Sequence, residues 1–266
     1  MSILIYQNSI LLTPSSVIGN IEKLIRKFLW EGGKGNLHRP HLVSWDKIQK
    51  PFKEGGLHIR TFAKQNLAMG AKILWNLVSR RDSWSKKVLR KKYYPGPRLR
   101  CLDKPTIRKK GSPIYKLCLK VSEHFNPLLF WIPGNGKQIK LWEDSIMGEQ
   151  PLGLLLGIRN LKIWMKENSL ETLWDISSWE DEGDCVWKDW NLGNIPIGIK
   201  EEADLLLHLL QGKAPMTERS KDKRGWGQLS GSYTAVEGYR TFQAIQYAAP
   251  DPAKWNFIWS HPFVPR

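Results

Sequence analysis

The residues whose types and spacing invite chemistry are cations. Lys86, Lys87, Arg90, Lys91 and Lys92 crowd into one short stretch, and Arg98, Arg100, Arg108, Lys109 and Lys110 extend it. Neutralising phosphates needs several cations on one surface, and neighbouring aromatic rings add base stacking. Trp84, Tyr93 and Tyr94 sit beside this cluster. The pattern points to nucleic-acid contact of a sequence-tolerant kind, because charge alone reads no bases. The plainer alternative is a solvated helix face beside ordinary core aromatics. The expected contact set is Lys86, Lys87, Arg90, Lys91, Lys92, Arg108, Lys109 and Lys110.

No second constellation competes. His38 and His41 flank Pro40 in a loop, with no cysteine or carboxylate at fitting spacing, so no metal site is expected there. His124, His208 and His261 are isolated and read as structural. Glu143 and Asp144 are adjacent; on a strand they point to opposite faces and do not converge as an acid–base pair. Asp181, Glu182 and Asp184 read as a solvated acidic loop. The spacings G-x-x-x-x-G-K-S/T, G-x-S-x-G and H-E-x-x-H do not occur. Gly134-Asn135-Gly136-Lys137 is too short for a phosphate loop and reads as a turn. No catalytic residue, metal or cofactor is expected, and the chain reads as a non-enzyme.

The charge behind the cluster is lopsided. The 266 residues carry a formal net charge of +16, yet residues 1–120 hold 26 Lys/Arg against 6 Asp/Glu, and the remainder holds 15 against 19. A dense cationic half attracts polyanions: nucleic acid first, an anionic membrane surface second. With 41% hydrophobic residues a buried core is within reach. The 14 tryptophans add large apolar faces whose indole N–H groups need partners once buried. The three cysteines, Cys101, Cys118 and Cys185, have no C-x-x-C spacing, which argues against a disulfide framework and for a reducing compartment. No apolar run spans a membrane, and Met1 to Leu12 lacks the charged leader of a signal peptide. Nucleus or cytoplasm is the expected location.

The elements that must position these residues are mostly helices. Thr13-Pro14 opens one, with Val17, Ile18, Ile21, Leu24, Ile25, Phe28 and Leu29 on one face and Gly32-Gly33 as the stop. Residues 31–60 read as loop with short extended pieces. Thr61 caps a second helix reaching Val78. Ser83 caps a third, with Trp84, Val88 and Leu89 predicted inward and the lysines outward, ended by Pro95-Gly96-Pro97. Residues 113–125 form a fourth, burying Ile114, Leu117, Cys118 and Val121. Leu128 to Ile132 and Gln138 to Trp142 read as the strands of a hairpin around Asn135-Gly136. Beyond Gly148 the pattern weakens. Ser169 caps a short helix through Trp174, Glu201 to Leu210 is helical, and residues 211–230 read as a polar linker. Ser232 to Thr234 is a brief strand before a helix over Ala235 to Tyr247, and Trp255 to Trp259 is a last apolar patch.

Several local patterns agree with one family. Lys27-Phe28-Leu29-Trp30-Glu31-Gly32, His41-Leu42-Val43-Ser44-Trp45-Asp46-Lys47-Ile48 and Lys53-Glu54-Gly55-Gly56-Leu57-His58-Ile59-Arg60 come in the order and spacing of a known region. Asn66-Leu67-Ala68, Lys92-Tyr93-Tyr94, Trp131-Ile132-Pro133-Gly134-Asn135-Gly136 and Ile139-Lys140-Leu141-Trp142-Glu143-Asp144 continue it. The chain resembles the region after the polymerase core of plant LINE-type (non-LTR) retrotransposon reverse transcriptases. Gly231 to Tyr239 and Trp255-Asn256-Phe257-Ile258-Trp259 resemble the start of that family's zinc-binding in reverse transcriptase domain.

The resemblance implies a basic thumb-like helical domain over residues 1–125, a hairpin and connector over 126–225, and a truncated zinc-domain start over 226–266. In the family the metal-binding aspartates of polymerisation, including a Y/F-A-D-D element, lie upstream. The zinc ligands lie downstream, and a ribonuclease H domain, where present, lies further on. None of those functions carries over to a residue of this chain. The expected whole is a mainly α, non-catalytic fragment with residual, non-specific binding of RNA or DNA. The rival expectation is a host-recruited protein–protein interaction factor docking through exposed aromatics near Trp255 and Trp259.

Overall fold

A computed structural model of the chain describes residues 11–31, 43–79, 84–93, 111–179, 185–187, 195–211, 219–227 and 231–244. Of these, 59% are helical and 8% lie in strands, so the expected mainly α class holds. The chain forms two compact units that interleave in sequence. One takes Met1–Leu74, Ile107–Ser122 and Thr234–Arg266; the other takes Trp75–Thr106 and Glu123–Tyr233.

In the first unit, α1 (Ser15–Glu31) follows Pro14, whose missing N–H costs nothing at a helix start. Asn66 ties down the approach to α1: its amide donates to the Leu11 carbonyl at 2.7 Å, and its oxygen accepts the Thr13 N–H at 3.2 Å. Glu22 and Arg26 pair at 3.5 Å along α1, and the Arg26 guanidinium lies 5.2 Å from the Trp45 ring centroid. The predicted apolar face of α1 is only partly covered, since Val17, Leu24 and Phe28 remain exposed.

Residues 43–60 hold no strand. They form α2 (Trp45–Ile48) and a 3-10 turn, Phe52–Glu54, closed by Gly55 at φ 82°. A Cβ on Gly56 would fall 1.9 Å from the Lys50 carbonyl oxygen, so the return over α2 demands glycine. α3 (Phe62–Val78) and α5 (Pro113–Phe125) take their predicted places, as does α4 (Trp84–Tyr93), which lies between them in sequence and belongs to the second unit. Gly70 of α3 faces Leu117 and Val121 of α5 so closely that a Cβ would come within 2.9 Å of both. Small residues at that crossing let the two backbones approach.

In the second unit, the predicted hairpin is corrected. β1 (Leu129–Ile132) exists, but Gln138 to Trp142 is not its partner. After the 3-10 turns that follow Pro151 come α6 (Arg159–Glu167), a short antiparallel pair β2 (Ser177–Trp179) and β3 (Cys185–Trp187), and α7 (Lys200–Leu210). The strand that pairs antiparallel with β1 is β4 (Lys223–Trp226), drawn from the stretch read as a linker. In that register Gly225 lies opposite Phe130, and a Cβ there would strike the Phe130 ring.

The turn expected to close a hairpin closes instead on a carboxylate. Asp222, fully buried, accepts the Gly134 and Gly136 N–H groups on Oδ1 at 2.8 and 2.7 Å and the Gln138 N–H on Oδ2 at 2.9 Å. Trp226 follows it into the core, stacked on Phe125 at 5.7 Å and edge-on to Tyr233 at 4.7 Å. Its indole N–H donates to the Phe125 carbonyl at 3.1 Å, so the buried donor is satisfied.

The main core of this unit gathers Trp131, Ile139, Leu141, Trp142, Leu161 and Leu206, with their neighbours. α6 was not foreseen. Its first turn has no side-chain cap of its own; Glu202 of α7 accepts the Leu161 N–H at 2.8 Å and the Asn160 amide at 2.9 Å. Ser169 ends α6 rather than opening a helix. It sits at φ 59°, while Ser169 N–H reaches the Lys166 carbonyl and Leu170 N–H the Met165 carbonyl. The stretch Ser169 to Trp174 is not helical.

At the far end of the chain, no strand forms over Ser232 to Thr234. Thr234 instead precedes α8 (Ala235–Ala244), its hydroxyl accepting the Glu237 N–H at 3.1 Å. Positions beyond 244, including the Trp255 to Trp259 patch, lie outside the described residues.

Replacing Asp222 by Ala leaves the Gly134, Gly136 and Gln138 donors without their acceptor. Gly134 and Gly136 make buried bonds and Gln138 a part-buried one; at about 1–3 kcal/mol for each unmet buried donor, stability should fall by at least about 2 kcal/mol, read from the urea midpoint. Asp222→Asn should cost less: its oxygen still serves Gly134 and Gly136, but its NH2 opposes the Gln138 N–H. Cys118 is 1% exposed, and burial pushes its thiol up to about 12. At pH 8 its thiolate fraction is on the order of one in ten thousand. Iodoacetamide should therefore modify Cys118 only after denaturation, as mapped by peptide mass spectrometry.

Candidate nucleic-acid interface

The cation cluster lies on α4, a ten-residue helix with no acidic residue in its first turn and Arg90, Lys91 and Lys92 in its last. Cations at a helix C-terminus complement the exposed carbonyls there. Its facing departs from the expected one at Trp84, Val88, Lys86 and Arg90 and agrees with it at Lys87, Leu89, Lys91 and Lys92. Trp84 is 83% exposed and Val88 48% exposed, so neither is the inward residue that periodicity implied. Lys87, Lys91 and Lys92 are exposed with them, whereas Lys86, Leu89, Arg90 and Tyr93 are half-buried.

At 100° per residue, positions 84, 87, 88, 91 and 92 cover one arc of about 140°, and 86, 89, 90 and 93 the opposite side. Lys86 is drawn inward because its ammonium donates to the Ser79 carbonyl, just past the end of α3. Orphan carbonyls at a helix C-terminus are natural partners for a lysine. The Lys92 ammonium lies 5.4 Å from the Tyr93 ring centroid. No ion pair ties Lys87, Lys91 or Lys92 to any carboxylate among the described residues.

The structure thus brings together three of the expected cations, Lys87, Lys91 and Lys92, and turns Lys86 and Arg90 toward the protein. Arg108, Lys109 and Lys110, with Arg98 and Arg100, lie outside the described residues, as do His38, His41, His261 and the Asp181 to Asp184 loop. His124 and His208 are exposed. Glu143 and Asp144 do not lie on a strand. Asp144 is buried and accepts the Lys140 N–H at 2.8 Å, a structural task. Among the described residues no group of three or more His, Cys, Asp or Glu is placed to hold a metal ion. No described helix is long and apolar enough to cross a membrane.

What the arrangement offers chemically is an exposed indole among three ammonium groups. The lysines can neutralise successive phosphates, and the indole face can take an unpaired base. Such a surface holds no acceptor or donor fixed against a particular base edge.

Comparison with known proteins gives a distant similarity. Over 151 residues, 56% of its length, the chain is 32% identical to an Arabidopsis thaliana protein named "Putative ribonuclease H protein". The chain spans 24% of that relative. No protein-family profile matches the chain, and no solved structure matches it.

Sequence reasoning missed the outward placement of Trp84. The signal for it is that Trp84, Lys87, Lys91 and Lys92 share one helical arc, which makes either side of α4 equally mixed in polarity. With both side chains exposed, replacing Trp84 and Val88 together by Gln should shift stability by no more than about 0.5 kcal/mol per site, as for surface positions. Inward residues would cost several times more. Chemical denaturation of the double variant distinguishes the two.

Proposed function

We propose that this chain is a retrotransposon-derived, reverse-transcriptase-related segment that binds nucleic acid without sequence preference and is not itself an enzyme. The observation that carries the reading is the single exposed arc of α4 that joins Trp84 to Lys87, Lys91 and Lys92. Two further lines support it. The sequence patterns through Asp144 resemble the region after a plant non-LTR polymerase core. The Arabidopsis relative carries a ribonuclease H name, and in that family a ribonuclease H domain, where present, follows such a region.

In this role the lysines would track phosphates and Trp84 would stack on an unpaired base. Affinity comes mainly from displaced counterions, so it is weak and salt-governed. An RNA–DNA hybrid with a single-stranded end presents both features: paired backbone and a free base.

Filter binding of such a hybrid across a salt series tests this. Three phosphate contacts predict a slope of log K against log salt of roughly −2 to −3. Lys87→Gln, Lys91→Gln and Lys92→Gln together should flatten the slope by that amount without changing the unfolding midpoint. Trp84→Ala should weaken the single-stranded end's binding and leave the slope alone. Binding that is indifferent to salt, or to the triple substitution, removes the proposal.

A further inference from the structure

A cleft in the first unit forms where the segment entering α3 meets α8. Its volume is about 170 Å³, and His58, Arg60, Gln65, Tyr239, Arg240 and Gln243 border it. None of these residues belongs to the lysine surface of α4. The cleft walls are fixed by a long-range hydrogen bond: the Thr61 N–H donates to the Tyr239 hydroxyl at 3.0 Å, holding α8 against the start of α3. The Arg60 guanidinium lies 5.9 Å from the Tyr239 ring centroid, a cation–π contact made through the face of the group rather than through its N–H donors.

His58 is a non-glycine residue at φ 54°. Its N–H donates to the Lys50 carbonyl at 2.9 Å, and its ring stacks on Phe52 at 6.1 Å. A left-handed conformation in a side chain of this kind is uncommon, and here the surrounding turn holds it. Neither Arg60 nor Arg240 is ion-paired with a carboxylate among the described residues. Two guanidiniums, an imidazole and two carboxamides therefore border one concave site whose rim offers donors and no carboxylate.

We infer that this cleft is a second, separate anion site that seats one phosphate group of a nucleic-acid strand. Arginine forks match phosphate oxygens in pairs, and the amides of Gln65 and Gln243 add neutral donors. Size argues for the phosphodiester rather than a whole nucleotide. Pockets that enclose drug-sized ligands run to roughly 300–1,000 Å³, well above this one. The sugar and base of the seated residue would remain outside, consistent with a strand passing over the opening. The inference does not rest on the α4 surface.

The test uses the full chain carrying Lys87→Gln, Lys91→Gln and Lys92→Gln, so that α4 no longer contributes. Fluorescence anisotropy of a labelled single-stranded oligonucleotide then reports the cleft. Arg240→Gln, at an exposed helix position, should weaken binding by about three- to tenfold, and adding Arg60→Gln should weaken it further. Thermal unfolding checks that both variants keep the fold, above all the one with Arg60→Gln, since Arg60 also packs on Tyr239. Arg240→Lys, which retains charge but not the fork, should recover part of the loss. Inorganic phosphate at equal concentration should compete poorly. Unchanged oligonucleotide binding in Arg240→Gln overturns the site. Competition by inorganic phosphate as strong as by unlabelled oligonucleotide overturns the strand assignment and leaves a free-phosphate site. Loss of binding through the α4 substitutions alone, with no cleft-dependent remainder, overturns the inference while sparing the α4 reading.

Discussion

One buried carboxylate organises much of the second unit. Asp222 gathers the Gly134, Gly136 and Gln138 N–H groups, and so fixes the loop that leaves β1. Removing a charged group from water is costly unless its lone pairs are met, and several N–H donors converging on one carboxylate meet them. Once the loop is fixed, β4 is delivered in register beside β1, and Trp226 is carried into the aromatic cluster with Phe125 and Tyr233. Gly134 belongs to the same arrangement: a Cβ there would collide with the Lys221 backbone. The two glycines of the loop thus serve a distant strand.

Acids elsewhere in that unit do similar internal work. Asp144 receives the Lys140 N–H, Asp175 receives the Thr172 N–H and hydroxyl, and Glu202 caps α6. A chain whose second half carries more acids than bases therefore commits several of them to its own backbone. The exposed lysines of α4 and the guanidiniums of the cleft are left to face solvent. This division of labour, carboxylates to structure and cations to the surface, makes polyanion binding chemically reasonable despite a near-neutral second half.

What the sequence made legible follows the range of the forces involved. α1, α3, α5 and α7 show up because caps, breakers and apolar spacing are local, and their bounds match closely. The Asn135-Gly136 turn was legible as a turn, but its closure partner was not. The nearest alternating segment, Gln138 to Trp142, mimics a hairpin strand, and no local cue announces that Asp222 will compete for the loop. α6 escaped because only Leu161 and Met165 are buried from it, too few to set a period, and because its cap comes from Glu202. On α4 the outward Lys87, Lys91 and Lys92 and the inward Leu89 were legible, and the positions of Trp84, Val88, Lys86 and Arg90 were not. Lysine and arginine stems are long and apolar, so Lys86 and Arg90 line the protein side as readily as Trp84 and Val88 would. The cleft was invisible because Arg60 and Arg240 are far apart in sequence and meet only through Tyr239 and Thr61.

The pairing of β1 with β4 also bears on how the chain is made. Gly134 and Asp222 are separated by 88 positions. At ribosomal rates of about 5–20 residues per second, β1 emerges on the order of ten seconds before the strand that will cover its edge. During that interval only one side of β1 has its partner made, the Ser145 to Met147 segment that bonds Trp131; the side that β4 will take is still open. The core from Trp131 to Leu210 is complete in the chain before β4 is made, so what comes late is the sealing of β1 and the burial of Trp226, a long-range closing step laid on a core already in hand.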